Sequence, residues 1–122
     1  MYEKLFALIL IFIAFDSVYL TLISDMAGKM VKNIQQSPLK IRPLSFIIVY
    51  ILLAFGMSHF IIKKKASVAE AFSLGIIIYG VYDFTNYTLL NDYLLQFAVI
   101  DTLWGGTLFA LTYTVYKKLF SL

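Results

Sequence analysis

The chain has 122 residues, of which 61% are apolar and only 14% charged, against roughly 45–50% and about 25% in a soluble domain. That balance excludes disordered, collagen-like and ordinary water-soluble classes. With no cysteine and one histidine beside a net charge of +3, a disulfide framework and a zinc centre of His and Cys ligands are also excluded.

Four apolar runs follow one another, at about residues 5–23, 44–62, 69–90 and 93–116. Each is close to the ~20 residues that cross a bilayer core, so the expected fold is all-α: one domain of four transmembrane helices in an up-down bundle. The first run is too long for a signal peptide, contains Asp16 and is followed by no small-residue cleavage site. In the connection that follows, Met26, Met30, Val31 and Ile34 recur at helical spacing. They suggest a short amphipathic helix lying on the membrane surface, with a solvated loop as the alternative. Pro38 breaks this segment and Pro43 starts the second run. Lys63, Lys64 and Lys65 end that run, and Ser67 with Glu70 forms a capping box for the third. Asn91 and Asp92 make a tight turn, so the last two helices form an antiparallel hairpin.

All ten cations lie outside the apolar runs. They read as a signal for orientation and not for a nucleic-acid partner. Six fall on the side of the termini and four on the other, which favours cytoplasmic termini. Tyr2, Tyr93, Tyr113 and Tyr116 near the ends of runs fit an aromatic belt. Gly56 and Ala54 suggest helix packing. His59 lies roughly 9 Å from the centre of its run, away from the intramembrane acids, and reads as an interfacial side chain.

Asp16, Asp83 and Asp101 lie inside the runs. Each costs roughly 2.5–3.5 kcal/mol at a helix centre, so they are expected to face the bundle interior, paired or protonated. At about 1.5 Å per residue, Asp16 lies roughly 3 Å and Asp83 roughly 5 Å past the middle of their runs, and Asp101 roughly 5 Å before its own. The alternating helix directions put all three in the outer half of the membrane. Each is followed three residues on by a hydrogen-bonding side chain: Tyr19, Asn86 and Trp104. Tyr79 shares the face of Asp83, and Tyr82 sits beside it. Gly75, Gly80, Gly105 and Gly106 allow close backbone approach. The candidate polar pocket is therefore Asp16, Tyr19, Tyr79, Tyr82, Asp83, Thr85, Asn86, Asp101 and Trp104.

The segment from Tyr82 to Leu89, Y-D-F-T-N-Y-T-L, resembles the Y-D-[LF]-T-N signature of a family of predicted membrane proteins of unknown function. Asp101-Thr102-Leu103-Trp104-Gly105-Gly106 resembles its D-x-x-W-G-[GA] motif, and Asp16-Ser17-Val18-Tyr19-Leu20 its first-helix D-x-x-[WY]-L motif. The chain departs from the pattern at Tyr19, where Trp is common, and in its Lys-rich second connection. The resemblance implies a four-span fold and carries no biochemical activity.

Three functions suit an Asp-lined pocket. One is binding or moving a proton, cation or small solute, for which so small a bundle would call for a homodimer. A second is purely structural, although a polar contact between membrane helices averages only about 0.6 kcal/mol. The third is a membrane-embedded lipid-binding protein or enzyme, with paired carboxyls as acid and base or as oxygen ligands of a hard cation. No nucleophile–base pair, phosphate loop or multi-histidine cluster is found, so the reading leans away from an enzyme and assigns no cofactor and no metal site.

Overall fold

From the amino terminus to Gln35 the sequence has no proline, and the computed structural model, which describes residues 2–121, folds this stretch as one helix, α1 (Tyr2–Gln35). At ~1.5 Å per residue it is about 50 Å long, well beyond a hydrocarbon core of ~30 Å. The stripe of Met26, Met30, Val31 and Ile34 is thus the continuation of the first helix and not a separate helix turned onto the membrane surface. Its apolar side chains have a protein partner. Met30 is buried with Tyr93, Phe97 and Ala98, and Met26, Ala27 and Ile34 pack around them.

Gln36, at φ 60°, takes the chain out of the helix, and Pro43 opens α2 (Pro43–Met57) in its first turn. The helix continues through a π-helical turn, Ser58–Ile62, in which the Lys63 amide donates to the Ser58 carbonyl at 3.0 Å. Helix α3 (Val68–Leu89) starts at the expected capping box: Ser67 Oγ accepts from the Glu70 amide, and the Glu70 carboxylate accepts from the Ser67 amide. Asp92, at φ 68°, sits in the tight turn before α4 (Leu95–Leu119). All four helices are long and apolar enough to cross a membrane.

Helix α4 is the most buried of the four. It packs most closely on α3 and then on α1, and α1 in turn packs on α2. Among the described residues, α2 and α3 lack a comparable close packing. Two apolar clusters fill the interior. One joins Leu8 and Phe12 of α1 to Tyr50, Ala54 and Met57 of α2 and to Phe109 of α4. The other is the Met30–Tyr93–Phe97 group at the far end. In sequence position along α1 and α4, the acids fall between them.

Tyr113 and Tyr116, expected in an aromatic belt, are buried in the first cluster, where Tyr113 Oη donates to the Ala66 carbonyl at 2.7 Å. Ala66 lies in the α2–α3 connection, so the Tyr113 hydroxyl is satisfied at the end of the bundle while protein covers its ring. Tyr2 is exposed, as a belt residue would be. A Cβ on Gly56 would meet no atom within 4 Å, whereas Ala54 is fully buried.

The α3–α4 crossing depends on glycine. A Cβ on Gly75 would fall on the carbonyl oxygen of Gly105, and one on Gly105 would fall on the Tyr79 ring. Gly75→Ala should therefore destabilise the bundle by about 1–3 kcal/mol through overpacking. Gly28→Ala meets no atom within 4 Å and should be neutral or stabilising by up to ~1 kcal/mol. Denaturant unfolding in detergent checks both, and equal destabilisation by the two would contradict the close crossing.

Candidate functional site

Helices α1 and α4 run antiparallel, and each carries an acid followed three residues later by an aromatic donor. The donors serve the opposite helix. Tyr19 Oη of α1 donates to Asp101 Oδ1 of α4 at 2.8 Å, and Trp104 Nε1 of α4 donates to Asp16 Oδ1 of α1 at 2.8 Å. The two rings stack between the helices, with centroids 4.8 Å apart and planes 7° from parallel. The spacing of acid and donor on each helix suggested pairing within one helix. A Tyr or Trp, however, holds its polar hydrogen at the far edge of a rigid ring, so it reaches the neighbouring helix more readily than its own preceding turn.

Asp16 has a further donor in the Tyr50 hydroxyl of α2, which bonds its Oδ2. Both Asp16 oxygens are thus satisfied, and three helices meet at one carboxyl. Tyr50 was not singled out from the sequence. Its only signal there is a hydroxyl flanked by apolar residues, Phe46–Val49 before it and Ile51–Phe55 after it.

Asp83 of α3 differs from the other two. It is fully buried, its Oδ1 accepts from Tyr93 Oη at 2.7 Å, and its Oδ2 has no hydrogen-bond partner. The Asp101 carboxyl and the Thr102 hydroxyl are its neighbours across the α3–α4 crossing. The Thr102 hydroxyl is buried without a partner as well. Tyr93, expected at the membrane interface, is only 7% exposed. The hairpin turn brings it back onto Asp83, ten residues earlier in the chain.

A cavity of about 410 Å³ reaches this polar layer between the distal half of α1 and α3. Asp16, Tyr19 and Asp101 line it, as do Tyr79, Tyr82 and Asn86. A second cavity, about 320 Å³, enters between α2 and α3 past Val49, Leu53 and Ile78 and also reaches Tyr79, Tyr82 and Asp101. Asp83 lines neither, whereas its neighbour Asp101 lines both. No Lys, Arg or His side chain lines either cavity. Thr85, a candidate from the sequence, is exposed and outside both. Trp104 acts through its hydrogen bond and stack without lining either one. Among the described residues, no three His, Asp or Glu side chains come together as a metal-binding group. His59 is exposed, edge-on to Phe60, in the π-helical turn beyond the end of α2 and nine residues on from Tyr50.

The crossed pair predicts energetic coupling. Tyr19→Phe removes only the hydroxyl given to Asp101 and should cost about 0.6–1.7 kcal/mol, as should Trp104→Phe. The double variant should deviate from additivity by at least ~0.5 kcal/mol, because the rings stack and each serves the other helix. Additive losses in reversible unfolding would show the two contacts to be independent.

The sequence matches, over residues 2–116, a family described as a predicted membrane protein (DUF2177). No curated protein and no solved structure matches the chain. The family match includes all three intramembrane acids and reaches from the first residues of α1 to the last turn of α4, and the chain belongs to this family of predicted membrane proteins, DUF2177.

Proposed function

We propose that Asp83 and Asp101 form an intramembrane proton-binding site, which exchanges with water through the cavity beside α1. The observation that carries this reading is the donorless Asp83 Oδ2, fully buried next to a second carboxyl. Two bare carboxylates side by side in a low-dielectric interior repel strongly. Lys, Arg and His are absent from the cavity linings. A proton shared between the two removes the repulsion and gives Asp83 Oδ2 its missing partner. A hard divalent cation such as Ca²⁺ or Mg²⁺ suits the pair less well, since these ions take six or more oxygen ligands.

Asp16 has a different part. Its two oxygens are already occupied by Tyr50 and Trp104, which favours a structural role in holding α1, α2 and α4 together. Asp101 lines the cavity and its neighbour Asp83 does not, so a proton would pass from water to Asp101 and then to Asp83. Movement across the whole membrane would require a further path. A homodimer offers one, because four helices surround a cavity and not a channel. The distribution of lysines and arginine favours termini in the cytoplasm, with the cavity beside α1 at the opposite side.

Infrared difference spectra of the reconstituted protein across a pH titration test this reading. The expected result is a carboxylic acid band that shifts in D₂O and is lost in Asp83→Asn and in Asp101→Asn, but persists in Asp16→Asn. Asn has nearly the shape of a protonated Asp, so these variants should fold. A wild-type protein without such a band, or a band that follows Asp16 alone, would sink the proposal.

A further inference from the structure

The start of α1 and the end of α4 lie at the same end of the bundle, and a groove of about 590 Å³ opens there between the start of α1 and the π-helical turn that follows α2. Lys4, His59 and Lys63 line it with the Ser58 hydroxyl, and no acidic side chain does. Its walls include Leu5 and the exposed Phe55, so cationic groups stand above an apolar surface. The Lys4 ammonium also lies 5.4 Å from the ring centroid of Phe120, a residue outside the groove lining, a cation–π contact that a headgroup phosphate would compete with. The π-helical turn Ser58–Ile62 supplies Ser58 and His59 and leads directly into Lys63. Such turns add a residue to a helix and are frequent at functional sites.

We propose that this groove binds the phosphate headgroup of an anionic phospholipid. Lys4 and Lys63 flank the phosphate, the Ser58 hydroxyl donates to it, and Phe55 and Leu5 bear the first part of an acyl chain. Basic pockets between transmembrane helices recognise acidic headgroups in this way. A soluble phosphate compound would share the cations but gain nothing from an apolar wall that faces outward beside them. The site is separate from the aspartates and independent of their proton chemistry, since the two groups of lining residues have no member in common.

Native mass spectrometry of the full chain, released from bilayers of equal phosphatidylglycerol and phosphatidylcholine, tests the assignment. Wild-type protein should retain phosphatidylglycerol selectively. Lys4→Gln and Lys63→Gln should each weaken retention about fivefold. Lys64→Gln and Lys118→Gln, whose lysines lie outside the groove, should leave it unchanged, and Lys63→Arg should preserve it. Equal retention of the two lipids would overturn the proposal, as would equal losses in both sets of variants. Displacement by millimolar inorganic phosphate would assign the groove to a soluble anion and overturn the lipid. Unchanged Trp104 fluorescence in each variant shows that the fold is intact, so a loss of lipid is read at the groove.

Discussion

A carboxyl inside a bilayer must find donors or a compensating charge, and the layer between the two apolar clusters of this protein is arranged around that demand. Asp16 takes hydrogen bonds from α2 and α4, Asp101 takes one from α1, and Asp83 takes one from the residue that leads the chain into α4. These contacts do what apolar packing does poorly in lipid. Tails and leucines are equally greasy, so burial alone provides little preference for one helix neighbour over another. Polar groups of fixed position do provide it. The stacked Tyr19 and Trp104, each serving the other's helix, fix the relative height of α1 and α4 as well as their contact.

The α3–α4 hairpin meets a second demand, that of proximity. Gly75 and Gly105 let the two backbones approach until Asp83 and Asp101 become neighbours. Larger residues at the crossing would hold these carboxyls apart and leave each as a separate buried acid. The same closeness is what leaves Asp83 Oδ2 with a carboxyl beside it and no hydrogen-bond partner. Packing and chemistry at this point are one arrangement.

The helices, their directions and the acids were legible in the sequence because hydropathy and a few caps and turns determine them locally. The Ser67–Glu70 box and the Asn91–Asp92 turn formed as their residue types dictate. The partners of the acids were much less legible. Spacing along one helix identified Tyr19 and Trp104 as donors but could not say that each would cross to its neighbour, since that depends on the height at which two helices pack. Tyr50 and Tyr93 were hidden for a related reason: a tyrosine in an apolar run looks the same whether it faces lipid, an interface or a buried carboxylate. The distal half of α1 was misread because an amphipathic stripe shows that an apolar face is covered, not whether lipid or protein covers it.

The π-helical turn in α2 has a consequence for the helix as a whole. It inserts one residue between Tyr50, which reaches Asp16, and Lys63, which reaches the groove at the termini. One residue corresponds to ~100° of rotation about a helix axis. Removing it would restore a regular helix and turn one of these two side chains away from its target. The phase of α2 is thus shared between two places more than a dozen residues apart, and the extra residue reconciles them.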